Sequence, residues 1–373
     1  MVNILSREEK WKRALPLMIW LISTLMGGWA FTRSPLDPDG DELAYSELAG
    51  NLAAHKGYLT LGEPDTHISP LFPSAHALLI LLGGDVGICG LLLPFLFTTL
   101  LAPLVFLLIK GLWGLPQAIG AALVVAIHPA LLAQAKQIQP EALAACLLLW
   151  FLLLWSRGRP ALAAFALGAA ALARPEFALL FPVWIIIETA RNPRPITRFI
   201  PPLLIFVSLL TPFGLYLHAV EGRFCLTGKD QWVYQVGFGQ WKTRNQPAMM
   251  QTARELRADF PGILSHAMAH PRDTIYGYAY RWSLMARYAL SLLRPIVLPF
   301  LAFGLFLAWK GARKALGYGL FPLLLCPLIP FGMIFPRHLV PYLPLVLAFA
   351  GVGAEAVAEG VWVLGRRIIR QHG

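Results

Sequence analysis

Charged residues are scarce in this sequence. They make up 14% of its 373 residues, whereas soluble globular domains carry about 25%. Uncharged apolar runs such as Leu91 to Ile109 and Leu339 to Val352 recur along the chain. A surface helix of a soluble protein needs a polar face at helical spacing, and these runs are apolar all round. The shortage of charge therefore excludes a soluble globular protein and indicates helices surrounded by lipid.

Cysteine is also rare: the sequence has only Cys89, Cys146, Cys225 and Cys326. Three of them fall in apolar runs and only Cys225 falls in an expected aqueous loop, which excludes a disulfide framework. Neither a CxxC pair nor an H-E-x-x-H sequence occurs, so the usual spacings of zinc sites are missing. No A-x-A cleavage site follows the first apolar run, residues 14–31, and we expect an uncleaved first membrane helix.

The sequence does contain about ten apolar segments suited to membrane helices. We expect an all-α, polytopic membrane protein that forms one domain over residues 1–373, with no soluble C-terminal domain. The segment Pro70 to Leu82 is short for a span, and we predict that it lies on the outer membrane surface. The expected spans cover about residues 14–31, 86–109, 113–133, 141–156, 160–174, 176–190, 199–217, 291–309, 318–334 and 338–358.

Basic residues predict the orientation of these spans, because they collect in short cytoplasmic segments. With the N-terminus in the cytoplasm, the short outer loops hold only Lys136, Arg174 and Arg337. We therefore expect an integral plasma-membrane protein with both termini in the cytoplasm and two long outer loops, about residues 32–85 and 218–290. The same asymmetry explains the formal net charge of +11 without nucleic acid, which we exclude as a partner.

The first outer loop holds three carboxylates within four residues: Asp39, Asp41 and Glu42. Asp39 and Glu42 have the spacing of a helix capping box, and acids in a first helical turn are favourable in any case. Capping and catalysis therefore both stay open for Glu42. Asp41 adds a third carboxylate at the exit of the first span, and we interpret it as a functional group that faces an interfacial cavity.

A short amphipathic helix follows these acids. Tyr45, Leu48, Ala49 and Leu52 fall on one face at helical spacing, and Gly57 provides a C-terminal stop. An apolar face of this length suits a helix that lies in the membrane interface.

The loop resembles the first outer loop of GT-C superfamily glycosyltransferases, in particular protein O-mannosyltransferases and lipid A aminoarabinose transferases. The matching pattern is D-E-x-x-Y-x-x-x-A, then Gly-Tyr, then Pro-x-x-Pro. It consists here of Asp41, Glu42, Tyr45, Ala49, Gly57, Tyr58, Pro70 and Pro73. Three later stretches resemble the same group in the same order: His128 to Leu143, Ala171 to Phe177, and Pro336 to Gly351.

The resemblance implies an enzyme that takes a sugar from a polyprenyl-phosphate donor and passes it, with inversion, to an acceptor hydroxyl on the extracytoplasmic side. It implies that Asp41 is the general base. Glu141 is the second acid, either as an acceptor-orienting group or, with Asp41, as a ligand of a divalent metal ion. Capping of the fourth span is the alternative for Glu141, and the sequence leaves metal dependence open.

The leaving phosphate needs positive charge or hydrogen-bond donors. Lys229 follows the seventh span in a glycine-containing turn, Arg337 and His338 open the last span, and Arg174 ends the fifth. Arginine at a helix end also reaches lipid phosphates, so that role remains open for both arginines. We add His67 and Tyr45 as substrate-binding candidates.

Two other classes of function compete with the transferase. A transporter or flippase of a lipid-linked glycan would place ionisable groups near the bilayer midplane, and a non-catalytic assembly factor would need no active site. The acidic residues favour the transferase because they fall in outer loops. The acceptor stays open between a lipid, a glycan and a protein hydroxyl.

Overall fold

The computed structural model describes residues 7–33, 40–191, 196–243, 246–258, 262–326, 328–329, 332 and 334–372. Asp39, the predicted helix cap, lies outside the described residues. The described chain is all-α apart from one two-residue hairpin in the first outer loop, in which β1 (Leu59–Thr60) pairs antiparallel with β2 (Glu63–Pro64). The predicted all-α class is confirmed.

Seventeen α-helices form the architecture of the described chain. The first nine are α1 (Arg7–Arg33), α2 (Gly40–Ala53), α3 (Leu71–Leu81), α4 (Val86–Leu112), α5 (Leu115–Ile127), α6 (Pro129–Leu132), α7 (Glu141–Ser156), α8 (Pro160–Ala173) and α9 (Leu180–Arg191). The others are α10 (Ile200–Glu221), α11 (Asp230–Thr243), α12 (Gln246–Ala258), α13 (Ile263–Ala269), α14 (Pro271–Leu293), α15 (Leu298–Gly311), α16 (Arg313–Leu320) and α17 (Leu343–His372).

The chain is a membrane protein, but the predicted count of about ten spans is not confirmed. Within the described residues, four helical stretches are long and apolar enough to cross a membrane, or up to six if each of two bent helix pairs is one span. The four are Ala14–Arg33, Val86–Leu112, Ile200–Glu221 and Pro336–Leu364. The other predicted segments are apolar but form shorter or broken helices.

Two of the predicted spans do not form a long helix. Helix α7 begins and ends at the predicted residues 141 and 156 but has only 16 residues, and most of them are buried by neighbouring helices. The predicted span 318–334 is not one helix, because α16 ends at Leu320 and a 3-10 segment, Phe321–Leu325, follows it. Apolar sequence therefore indicates burial here as well as lipid contact.

The first outer loop folds as the sequence predicts. Leu48 and Ala49 are fully buried on the expected face of α2, and Tyr45 packs edge-on against Phe72 of α3, with ring centroids 5.5 Å apart. Helix α2 ends before Gly57, whose positive φ of 103° is a conformation that favours glycine. The short segment that begins at Pro70 forms the 11-residue α3. This layer covers one end of the helical core.

The second predicted outer loop is mostly helical, because residues 218–290 contain the end of α10, all of α11 to α13 and most of α14. Helix α14 carries many aromatic and basic side chains, but its Arg281 does not lie at a surface. It is 3% exposed, and its Nη1 donates to the carbonyl of Gly237 on α11 at 2.6 Å.

Glycines allow α17 to approach two neighbours closely. A Cβ added at Gly351 would fall on the carbonyl oxygen of Gly120 in α5, and a Cβ at Gly120 would lie 2.5 Å from the carbonyl oxygen of Gly351. Gly353 meets the carbonyl of Phe300 on α15 in the same way. Small residues at such contacts let helix backbones pack directly in membrane proteins, and they fix α17 between α5 and α15.

We expect Gly351→Ala to destabilise the protein, because the new methyl group must push α17 away from α5. Overpacking of this kind costs about 1–3 kcal/mol. Gly360→Ala on the same helix is the matched control, because nothing lies within 4 Å of a Cβ there, and alanine should leave stability unchanged or raise it slightly. The measurement is thermal unfolding in detergent. Equal transition temperatures for Gly351→Ala and wild type would contradict the close contact.

Candidate active site

One large cavity, of about 550 Å³, opens where the first outer loop meets the ends of α7 and α8 and the segments before α11 and α17. All of the predicted site residues except Glu42 line its wall. They are Asp41, Tyr45, His67, Glu141, Arg174, Lys229, Arg337 and His338. Residues from distant parts of the sequence are therefore brought to one place.

An ion pair between Asp41 and Arg337 joins the first outer loop to the segment before α17. Asp41 lies in the first turn of α2, and Arg337 lies in a 3-10 segment, Pro336–Tyr342. The Nη2 atom of Arg337 donates to Oδ2 of Asp41. The Arg337 guanidinium also lies over the ring of Phe335, 5.8 Å from its centroid. These contacts hold the Asp41 carboxylate in a defined orientation at the cavity wall.

A second, more buried cluster joins α7 to the end of α8. Arg174 follows the last residue of α8, and its Nη1 donates to Oε1 of Glu141, the first residue of α7, at 3.1 Å. Its Nε donates to Oε1 of Glu176 at 2.6 Å. The side chains of Glu141 and Arg174 are 5% and 13% exposed, so this guanidinium neutralises charge that water hardly reaches.

Lys229 enters the cavity from a turn that only glycine permits. The N–H of Gly228 donates to the carbonyl of Thr66 at 2.8 Å, and a Cβ at Gly228 would overlap Oγ1 of Thr66. The first outer loop therefore sets the position of Lys229. Within the described part of the chain, the Lys229 ammonium makes no ion pair.

Burial lowers the pKa of Lys229 below its ordinary value. Asp41 opposes this shift, whereas the positive charges of Arg337 and Arg174 add to it. Burial also raises the pKa of Tyr45, so this tyrosine keeps its proton at neutral pH. The negative charges of Glu141 and Asp41 also contribute to the raised pKa of Tyr45.

The cavity is consequently polarised. Around Asp41 there are two cations, Arg337 and Lys229, whereas around Arg174 there are two carboxylates, Glu141 and Glu176. The cluster around Asp41 therefore favours an anion, and the cluster around Arg174 favours groups that donate hydrogen bonds.

Sequence reasoning missed several residues of the cavity wall. Arg223 and Asp230 form a bidentate pair, with Nη1 to Oδ2 at 3.0 Å and Nη2 to Oδ1 at 2.7 Å, and this pair ties the two ends of the loop that carries Lys229. Gln139 and Glu176 also line the cavity. Arg223 and Asp230 could have been suspected from their opposite charges at either end of one loop, but Gln139 has no distinguishing signal in the sequence.

The two predicted histidines differ from Glu42 in their position relative to the cavity. His67 and His338 line the cavity, and the ring of His338 lies edge-on to Phe335, with centroids 5.9 Å apart. Glu42 is 8% exposed and is not part of the cavity wall. Its catalytic role stays a prediction that the cavity geometry does not support.

The residues present do not fit the divalent ion considered for Asp41 and Glu141. Each carboxylate is already paired with an arginine, and a cation there would compete with the guanidinium. Among the described residues, no group of three His, Cys, Asp or Glu side chains could hold a metal ion.

Apolar side chains also line the cavity. They are Leu179, Leu226, Val233, Leu325, Leu328 and Ile329. A ligand with a charged head and an apolar chain would match both the charged and the apolar side chains, since pocket walls of this kind bind apolar surface while a few polar groups fix orientation.

No protein-family model matches the chain, and no curated protein matches it in sequence. Its fold is similar to that of ArnT from Cupriavidus metallidurans, as seen in a crystal structure of the apo state. The TM-score is 0.54 and the sequence identity is 14%. The chain therefore shares its overall fold with ArnT. The match covers 99% of this chain and 64% of ArnT, so the chain spans less than two thirds of ArnT. At this identity the likeness establishes the fold alone.

We expect Arg174→Ala to lower the free energy of unfolding far more than Arg223→Ala. Removing Arg174 leaves the buried Glu141 without its cation, which costs about 3–5 kcal/mol. Arg223 and Asp230 are 38% and 35% exposed, and water screens such pairs to about 0–1 kcal/mol. Denaturant unfolding in detergent compares the two variants. An equal loss of unfolding free energy in the two variants would show that leaving the buried Glu141 unpaired costs no more than leaving an exposed carboxylate unpaired.

Proposed function

We propose that the chain is a membrane glycosyltransferase that moves a sugar from a polyprenyl-phosphate donor to an acceptor hydroxyl. The observation that carries this proposal is the polarised cavity, in which a carboxylate, two cations and an apolar wall meet on a GT-C fold. Fold alone does not define activity, so the proposal depends on these residues.

The cations beside Asp41 suit the donor phosphate. Lys229 and Arg337 offer charge and hydrogen-bond donors where negative charge develops as the sugar leaves. The apolar side chains of the cavity wall, which include Leu226 and Val233, suit the polyprenyl chain. A donor placed in this way has its sugar directed toward Tyr45 and the Glu141 cluster.

Asp41 suits the role of general base. Arg337 fixes one of its carboxylate oxygens, so that the carboxylate can receive a proton from an acceptor hydroxyl held beside it. The acceptor oxygen attacks the anomeric carbon, the bond from that carbon to the phosphate oxygen breaks, and polyprenyl phosphate leaves with the electron pair. Attack opposite the leaving group inverts the anomeric centre.

The orientation in the membrane follows from charge. The basic residues favour cytoplasmic termini, and residues of both predicted outer loops line the cavity. We therefore propose that the reaction takes place on the extracytoplasmic side of the plasma membrane, where the acceptor is a lipid, a glycan or a protein hydroxyl.

The first test replaces the proposed base. We expect Asp41→Asn to abolish consumption of the donor, because an amide cannot accept the proton. Glu63→Gln is the matched control: it removes an exposed carboxylate of the same loop, which is not part of the cavity wall, and should retain turnover. The purified, reconstituted protein is given a panel of polyprenyl-phosphate sugars and acceptors, and loss of intact donor is followed by mass spectrometry. Normal turnover by Asp41→Asn would refute the assignment of the base.

The pH dependence gives a second test. If Lys229 must be protonated to bind the phosphate, the rate falls as pH rises through the pKa of Lys229, which burial places below the ordinary lysine value. We expect Lys229→Arg to move this alkaline limb to higher pH, because arginine stays protonated up to about pH 12.

Initial rates between about pH 7 and pH 11 measure the limb. Lys56→Arg is the control, since Lys56 is exposed and does not line the cavity. An alkaline limb that is the same in Lys229→Arg and in wild type would remove Lys229 from the phosphate site.

A further inference from the structure

Gln139 and Glu141, the two residues on either side of Pro140, form a polar part of the cavity wall whose hydrogen bonds are incomplete. Gln139 is 5% exposed and lines the cavity. Its backbone N–H donates to the carbonyl of Gln137 at 2.7 Å. Within the described residues, its side-chain amide has no hydrogen-bond partner.

Only one of the two carboxylate oxygens of Glu141 has a hydrogen-bond partner in the described part of the chain. Arg174 holds Oε1 at 3.1 Å, whereas Oε2 is shielded from water and has no partner in the described part of the chain. Buried polar atoms in folded proteins are nearly always paired, and leaving a charged one unpaired is costly. Glu141 lines the cavity, so a rotation of its carboxylate would present this unpaired oxygen to a ligand.

The local charge determines which chemical group fits. Two carboxylates, Glu141 and Glu176, surround one guanidinium in this cluster. A phosphate would be repelled here, whereas a hydroxyl can donate its hydrogen to a carboxylate. The amide of Gln139 both donates and accepts. A carboxylate beside an amide thus matches adjacent ring hydroxyls, each of which can donate and accept.

We propose that Gln139 and Glu141 form the subsite that binds ring hydroxyls of the donor's sugar, and that they select which sugar is transferred. This inference rests on the proposed function and adds a recognition element to it. Arg174 acts as a positioning residue, because it fixes the Glu141 carboxylate before the sugar arrives. A site built to hydrogen-bond a hydroxyl rejects analogues that lack it far more strongly than a hydrophobic pocket rejects a missing methylene.

The test measures binding without acceptor, so that no turnover is needed. Bare polyprenyl phosphate is compared with a panel of polyprenyl-phosphate hexoses and pentoses on the reconstituted full chain. We expect wild type to bind at least one sugar-bearing carrier more tightly than the bare carrier. Gln139→Leu should bind that carrier about tenfold more weakly, as loss of a ligand hydrogen bond implies, with unchanged affinity for the bare carrier.

Gln134→Leu is the matched control, because Gln134 is a buried glutamine of the neighbouring 3-10 segment, Ala133–Lys136, and does not line the cavity. Unchanged affinity for the bare carrier shows that Gln139→Leu is folded. If Gln139→Leu also loses its affinity for the bare carrier, the same comparison is made with Gln139→Asn. This variant keeps the amide but shortens its reach. An unaltered preference for the sugar-bearing carrier in the Gln139 variant would overturn the subsite.

Two further outcomes separate this inference from the proposed function. If wild type transfers sugar but binds bare and sugar-bearing carriers equally, the subsite is refuted and the transferase stands. If wild type binds neither carrier and consumes no donor, both are refuted.

Discussion

The ion pair between Asp41 and Arg337 is the contact on which the cavity depends. It connects side chains 296 positions apart in sequence, one at the start of α2 and the other just before α17. Helix α17 is held by glycine contacts to α5 and α15, and Arg337 lies in the segment that leads into it. The arginine anchors the first outer loop at the carboxylate that the reaction would use.

Polarity within the cavity gives the ligand a direction. Lys229 and Arg337 outnumber the carboxylate beside them, whereas Glu141 and Glu176 outnumber Arg174. Opposite local excesses in the two clusters orient a molecule that has a phosphate at one end and hydroxyls at the other. A flippase would have little need for such an arrangement. It moves its cargo from one side of the membrane to the other and breaks no bond, so it does not have to hold a bond of the cargo beside a base.

The features that could be predicted from the sequence are those that depend on short, local patterns of residues. The buried face of α2 could be predicted from spacing, Asp41 and Tyr45 from the resemblance of their loop to a known family, and Lys229 and Arg337 from their places beside apolar runs. The Arg223–Asp230 clip and Gln139 could not be assigned in this way, because their importance arises only when separate segments meet. The span count exceeded the long helices because hydropathy does not distinguish lipid from protein neighbours. Helix α7 is apolar because other helices surround it, although it has only 16 residues.

The contact between Gly228 and Thr66 has an evolutionary consequence. The missing side chain at residue 228 is filled by the threonine of another loop, so neither position can enlarge alone without displacing Lys229. Related sequences should therefore change the two positions together, with a larger residue at 228 accompanied by a smaller one at 66. The two outer loops would then evolve together, although they lie far apart in the sequence.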